Sequence, residues 1–465
     1  MTAIAPATID EPARRVPVLG AYEIVVLGGG PAGIAAAATA ARLGRKTLLV
    51  ERYGFLGGMG TAAGVTNFCG LHANVFGTVH RVVHGIADDL TDRIDRLGGL
   101  RAPHAIFGKT LAQAYDTAAY KLAADDLLLG AGAEILFHAY AASAVREGDR
   151  ITALVVETKS GRRAIRGEMF VDASGDGDLA VFSGVPFDIG GTDGSLLYPS
   201  TMFRVNGVAP EAALLAIRDV DRLMAEAERA TNTPFPRRGV IIRPQKNPIE
   251  WRANVTQVSN SEGRAVNATD ALELSAGEIE GRRQVAQFFA FLKARVPGFE
   301  TSYIVDIPPQ IGVRETRRVR GHYQLTRADV LSCASFDDTI GVNGWPLEKH
   351  VAGDVEWEWP DIPGSRGFNH LPWRMLVAEG VANLLVAGRC ASMDHEAQSA
   401  ARVSGACFVM GQAAATGAHL ALSRGVAASA IDSAELQAVL ERDGAYLGRS
   451  LDGFGGTGLQ GEYTT

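Results

Sequence analysis

Gly28, Gly30 and Gly33 stand in the spacing G-x-G-x-x-G, between a β-branched apolar run, Ala21–Leu27, and an alanine-rich stretch, Ile34–Leu43, that favours helix. At such a junction the first glycine permits a tight turn and the second lets the backbone approach a pyrophosphate. The third lets the helix pack close on the strand. Pro31 and Ala32 lead into a helix whose unpaired N–H groups and positive dipole end would face the phosphates. Gly44 stands where a C-cap is expected. A second strand, Lys46–Val50, then ends in Glu51, where a carboxylate can accept hydrogen bonds from ribose hydroxyls. Strand, helix and acid together make a dinucleotide site. A second G-x-G-x-x-G, at Gly453, Gly455 and Gly458, has neither a strand before it nor a helix after it and reads as tail.

The stretch after Glu51 narrows the nucleotide. Arg52 is followed by glycines at 54, 57, 58 and 60, with Met59 and Thr61 between and beyond them. A domain that binds only a nicotinamide nucleotide needs no second close-approach loop. This loop resembles the one in flavoproteins with the glutathione-reductase-type FAD fold, where a Gly-Gly lies against the pyrophosphate and ribityl chain. Phe170–Asp176, carrying Ala173, Gly175 and Asp176, resembles a strand–Ala-x-Gly element of that fold, and Asn383–Arg389 resembles its late strand. With Gln310–Arg318, Gly321 and Tyr323, and Leu385–Gly411, the chain resembles the FAD-dependent oxidoreductases near thiazole synthase and the fumarate-reductase flavoproteins, over Tyr22–Leu422.

The resemblance implies FAD as cofactor. It places Ser404 and Gly405, in the segment opening the last long helix, near the N1/C2=O edge of the flavin, and a helix N-terminus there stabilises the negative charge of reduced flavin. Ser404 also reads as an ordinary helix cap, and both readings can hold. Many relatives carry Gly-Asp at the late strand, where this chain has Gly388-Arg389, and Asp394 is the substitute acid considered. The resemblance also brings Arg389, His395 and Glu396 close to the flavin. His395 then reads as a general acid or base, or as a structural histidine. The charged cluster at Arg314, Arg317 and Arg318, beside Ile311 and Val313, reads either as a solvated face or as a wall that orients an anion. Cys69, His72 and His395 are the candidates for a covalent link to flavin.

Glycine accounts for 54 of the 465 residues, above the usual share of about 7%. With 47% hydrophobic and 21% charged residues the composition is that of a globular chain. A formal net charge of −7 argues against a nucleic-acid or membrane-surface partner. The four cysteines form no C-x-x-C, and there is no H-E-x-x-H, so neither a metal site nor a redox dithiol is expected. No G-K-[ST] loop, no G-x-S-x-G and no second strand–glycine–helix unit for NAD(P) is present. Met1–Gly20 lacks the apolar stretch of a signal peptide, and Gly405–Leu422, interrupted by Gln412 and His419, reads as a buried helix. A cytoplasmic protein is expected.

These pieces add up to an α/β fold: a split Rossmann-like FAD-binding domain with an inserted α+β substrate domain. The expected parts are a flexible tail over 1–20 and an FAD-binding domain assembled from 21–75, 130–186 and 374–425. A helical segment near the flavin covers 76–129 and the substrate domain 187–373, with a last helix and glycine-rich tail over 426–465. Helices are expected at Thr110–Leu128, Glu211–Ala230, Ala276–Ala294 and Ala434–Leu447, and a short strand at Glu168–Asp172. The expected activity is transfer of a hydride between a small organic substrate and flavin N5. A small electron acceptor, not identified, would complete the cycle, and a homo-oligomer is left open. The alternatives are a flavin monooxygenase, a thiazole-synthase-like enzyme that uses a bound dinucleotide as substrate, and a non-catalytic FAD-binding module.

Overall fold

The computed structural model describes residues 8, 9, 11–451 and 454. Strand β1 (Val18–Leu27) ends in four fully buried residues and turns into helix α1 (Pro31–Arg42), which returns to strand β2 (Thr47–Val50). A one-turn helix, α2 (Met59–Ala62), follows, then α3 (Ile86–Arg96) and α4 (Thr117–Ala131). Strands β3 (Glu134–Leu136), β4 (Tyr140–Glu147), β5 (Arg150–Thr158) and β6 (Gly161–Asp172) come next.

Between 187 and 373 lie β7 (Phe203–Asn206), α5 (Pro210–Ala216), α6 (Val220–Thr231), β8 (Ile241–Pro244) and β9 (Trp251–Asn254). Helix α7 (Ala271–Arg295), β10 (Tyr303–Asp306) and β11 (Leu347–Val351) follow. The chain then adds β12 (Leu384–Val386), α8 (His395–Ala401), α9 (Ser404–Arg424) and α10 (Ser433–Arg442).

The principal sheet is a parallel β3-β2-β1-β6-β12 array. The first half of β6 also pairs antiparallel with β5, which pairs in turn with β4. The strand expected at Glu168–Asp172 is therefore the buried end of a 12-residue strand, whose first half closes a hairpin across Lys159-Ser160. Helices α1 and α9 cross so closely that a Cβ on Gly411 would stand 2.0 Å from the Ala32 carbonyl oxygen. Only an alanine- and glycine-rich pair can approach this far, which accounts for the composition of both helices.

A second hydrophobic cluster, centred on Phe203, Trp251, Phe288 and Phe299, packs α5–α7 against one face of a four-stranded β8-β9-β7-β10 sheet. This cluster ends near Ile307, whereas Val319, Leu347, Phe368 and Trp373 pack into the first core. The stretch 187–373 is thus shared between two cores.

Several expected boundaries move. Thr110–Ala114 is a buried strand, and α4 starts only at Thr117 because the Asp116 carboxylate accepts from Ala119 N at 2.9 Å. With further strands at Thr78–Arg81 and His104–Ile106, the segment 76–129 is mixed and not helical throughout. The helix expected over 211–230 is broken by a tight turn at Ile217–Asp219. Helix α7 begins five residues early, capped by Asp270, and α10 stops at Arg442, just before Gly444 with its positive φ. Val18–Gly20, placed in the tail by sequence, pair with β6. Residues 1–7 and 10, and the glycine pattern from Gly453 to Gly458, lie outside the described residues.

Candidate functional site

The glycine motif forms the floor of a cavity of about 990 Å³, at the upper end of the range for small-molecule and cofactor sites. Gly28 has φ +101°, and a Cβ there would stand 2.4 Å from the Ala173 carbonyl oxygen. A Cβ on Gly33 would meet the Gly28 carbonyl oxygen at 1.7 Å. Gly30, by contrast, has open space toward the cavity, its nearest neighbour being the Gly58 Cα at 3.7 Å. The N-terminus of α1 begins on Pro31, with no side-chain cap and no acid in its first turn, so its unpaired N–H groups remain available to an anion.

The second glycine loop closes on the first. Gly57 N donates to Gly29 O at 2.8 Å, and Gly58 and Met59 line the cavity. The Thr61 hydroxyl donates to Leu56 O at 2.7 Å and braces this turn from behind the wall. Glu51 is 6% exposed, and its two carboxylate oxygens accept from Gly29 N at 2.6 Å and Tyr53 N at 2.9 Å. Burial raises its pKa, and those two N–H groups oppose the rise. Ribose hydroxyls would meet a carboxylate already oriented by the backbone.

The far wall joins two loops. Ala173 and Gly175, after β6, and Gly388 and Arg389, after β12, line the cavity. Just behind them Asp176 pairs with Arg389 at 2.9 Å and with Arg52 at 3.5 Å. Burial alone would raise the Asp176 carboxyl, but the two guanidinium groups hold it below the usual carboxylate range. Asp176 is thus the acid beside Arg389. Asp394, the substitute considered from sequence, instead caps α8 through Ala397 N at 2.7 Å.

Ser404 lines the cavity as the first residue of α9, but it does not cap that helix. Its hydroxyl accepts from Cys69 N at 3.0 Å, and Gly405 N donates to Cys69 O at 2.9 Å, so α9 is pinned to the loop before His72. Cys69 also lines the cavity, with burial pushing its thiol up to about 12. His72 is buried outside the wall.

The catalytic candidates separate. Arg389 and Arg314 line the cavity. His395 is not in its wall, and its Nδ1 lies 2.9 Å from the Oε1 of Glu315, which is also ion-paired to Arg318. A different histidine faces the cavity, His350 on β11, with Glu348 two residues before it on the same face. Burial opposes charge on Glu348, yet His350, Arg402 and a hydrogen bond from Trp345 Nε1 hold its carboxyl at about 2. Burial and the Arg314 charge push the His350 imidazole well below its ordinary value. An ionised Glu348 facing a neutral His350 at 3.1 Å places the ring proton on Nε2, leaving the Nδ1 lone pair free to accept a proton. Glu-x-His on one short strand looks the same in sequence as a solvent face, so nothing local marked this pair.

A β–α–β unit with an uncapped helix N-terminus over a glycine floor defines a dinucleotide-binding protein. The sequence model described as FAD dependent oxidoreductase matches residues 23–440, and the chain belongs to that family. Its cofactor is FAD, and the chain is an FAD-dependent oxidoreductase. The site fits this group: the Gly30 cradle is one that a side chain would fill, and the helix N-terminus and Glu51 suit pyrophosphate and ribose.

The dihydrolipoyl dehydrogenase of Trypanosoma brucei brucei is 53% identical over 45 residues, a match spanning 10% of this chain and 9% of that protein. Among solved structures, a geranylgeranyl bacteriochlorophyll reductase-like protein from Thermoplasma acidophilum aligns at 12% identity and a TM-score of 0.44, covering 91% of this chain and 83% of that one. A p-nitrophenol 4-monooxygenase from Pseudomonas putida aligns at 11% identity and a TM-score of 0.45, covering 92% and 87%. Among the described residues no helix is long and apolar enough to cross a membrane.

Proposed function

We propose that this chain is a dehydrogenase or oxidase in which a small organic substrate lies between the glycine cradle and the four-stranded sheet. One observation carries the reading. A single cavity runs from Gly28–Pro31 to a neutral histidine oriented by an ionised glutamate. The cluster built on β7–β10 then serves as the substrate side, and the β1-centred sheet as the cofactor side.

Glycines 28, 30 and 58, Glu51 and the N-terminus of α1 would hold the adenosine and pyrophosphate part of FAD. Gly388, Arg389 and Ser404 would meet its ring end. When bound, FAD would supply a two-electron acceptor for a hydride from a substrate carbon, and a small acceptor would take both electrons onward. His350 Nδ1 takes the proton that leaves the adjoining O–H or N–H, and Glu348 stabilises the imidazolium that results. Arg314 orients the substrate. The buried walls of the cavity exclude water.

Absorption spectra of the purified protein and of its acid supernatant test the cofactor. Released flavin means non-covalent FAD. Colour retained in the pellet means a covalent link, with Cys69 one of the thiols in the wall. Anaerobic screening for compounds that bleach the flavin then tests the reaction. Bleaching that needs only substrate supports a dehydrogenase or oxidase. Oxygen-dependent turnover only with an added reductant would replace this reading by a monooxygenase.

A further inference from the structure

The polar face of the four-stranded sheet carries a row of arginines. Arg204 on β7, Arg252 on β9 and Arg243 on β8 are direct cross-strand partners, so their side chains share one face. The opposite face, with Phe203, Val205, Ile242 and Trp251, is packed into the second core. Like charges placed side by side on a sheet repel. The protein neutralises the first of them, since Arg204 pairs with Glu250 at 2.7 Å and Asp306 at 3.3 Å. It does not neutralise the other two. Arg252 and Arg243 line the cavity, with Arg314 and Arg402 reaching it from other segments, and among the described residues none of these four has an ion-pair partner.

Their remaining contacts are with neutral groups. Arg314 donates to Tyr198 O at 2.7 Å and to Ser200 Oγ at 2.8 Å, and Arg402 donates to Glu348 O at 3.3 Å. Arg252 reaches Met202 Sδ at 3.7 Å and, with the Asn67 amide turned to suit both groups, the Asn67 oxygen at 3.2 Å. Arg252 Nε, Arg243 Nη1 and Arg402 Nε are buried with no partner at all. Arg252 is only 4% exposed. Burial disfavours the charge on each of the four, and neighbouring guanidinium groups add repulsion at Arg252, Arg314 and Arg402. A guanidinium nevertheless cannot shed its proton. Beside these four positive charges the carboxylate of Glu348 lies in the cavity wall, already engaged by His350 at 3.1 Å. Buried charge of one sign is retained when something else supplies the opposite sign.

We infer that the substrate is a polyanion, a small organic molecule with at least two acidic groups, carboxylate or phosphate, held by Arg243, Arg252, Arg314 and Arg402. This inference rests on the reading that the cavity holds FAD at one end and substrate at the other. Guanidinium forks match both kinds of acidic group, and two such groups engage more forks than one.

Calorimetric titration of the FAD-loaded protein tests it, with FAD content read from absorbance in the same samples. Malonate, glutarate and citrate are compared with acetate, and methylenediphosphonate with methylphosphonate. At least one dianion or trianion is expected to bind about tenfold or more tightly than its single-acid counterpart, since each charged hydrogen bond contributes that order of affinity. Which series wins assigns carboxylate or phosphate. Arg243→Gln and Arg252→Leu are each expected to weaken that binding about tenfold with FAD retained. Arg243→Gln lies at the half-buried end of the row and keeps the test alive if Arg252→Leu does not fold. Equal, weak binding of single and multiple acids, or unchanged affinity in a folded variant, would overturn the inference while FAD content stays normal. A protein that retains no FAD fails the underlying reading instead.

Discussion

A terminal nitrogen of Arg389 lies 2.9 Å from an Asp176 carboxylate oxygen, tying together two loops whose residues are 213 positions apart. The pair is nearly buried, with 9% and 13% of the side chains exposed, and Asp176 also meets Arg52. Removing one partner of a buried pair costs on the order of 3 kcal/mol. Asp176→Asn leaves two guanidinium groups uncompensated, whereas Arg389→Gln leaves Asp176 its Arg52 partner. Denaturant unfolding should therefore rank Asp176→Asn as the less stable variant, and the reverse order would discard the account. Because the Asp176 pKa is lowered on folding, its contribution is present above the ordinary carboxylate pKa of about 4 and is lost as the pH falls through the lower folded value.

Gly30 and Gly33 make opposite demands. A Cβ at Gly33 collides with the Gly28 carbonyl at 1.7 Å, so Gly33→Ala should lower Tm even without cofactor. A Cβ at Gly30 touches only Gly58 Cα at 3.7 Å, so Gly30→Ala should fold with wild-type Tm as apoprotein and fail to retain FAD. Thermal melts with and without added FAD read the difference. A Gly30→Ala protein that loads FAD normally would show that the pyrophosphate does not approach there.

His350→Asn should lower kcat/KM by about 100-fold or more with FAD content unchanged, the usual loss for a removed general base. Glu348→Gln removes the negative charge that stabilises the imidazolium and should lower kcat as well. The imidazole pKa lies well below its ordinary value, so the acid limb of the kcat/KM profile should fall well below pH 6.5. An acid limb at or above that value would assign the proton to another group.

Asp178 sits beside Asp176 and Asp172. Burial and those two carboxylates push its pKa up to about 6 despite Arg317 at 2.8 Å. The folded state thus holds this proton more tightly than the unfolded chain, whose carboxyl titrates near 3.9. The destabilisation from ionised Asp178 is full above pH 6 and disappears as the pH falls toward 4. Tm of the wild type minus Tm of Asp178→Asn should therefore rise as the pH is lowered across that window. A flat difference would refute the shift.

The cofactor half of the site was legible along the chain because its chemistry is local. Gly28, Gly30, Gly33 and Glu51 act through backbone conformation, close approach and one strand–turn–helix, and these are properties of adjacent residues. The buried helix at Gly405–Leu422 was legible for the same reason, from its composition. Boundaries failed where a neighbour decided them. Thr110–Ala114 has residues that suit a helix, yet it pairs with His104–Ile106 and lies fully buried as a strand.

The opposite half of the cavity was not legible. Arg243 and Arg252 sit in short strands whose alternation reads as one apolar and one solvated face, and Glu348-x-His350 repeats that ambiguity on β11. Only the packing of this sheet over the glycine cradle turns that polar face inward and buries unpaired guanidinium groups against a cavity. His395 drew attention because the resemblance brought it close to the flavin, but α8 carries it to Glu315 and away from the wall. Sequence alone settled the strand–glycine–helix unit at Gly28–Gly33, because backbone geometry encodes it within some thirty residues. Which charges face the cavity depends on segments more than a hundred residues apart, and burial and electrostatics between them exist only once the chain has folded.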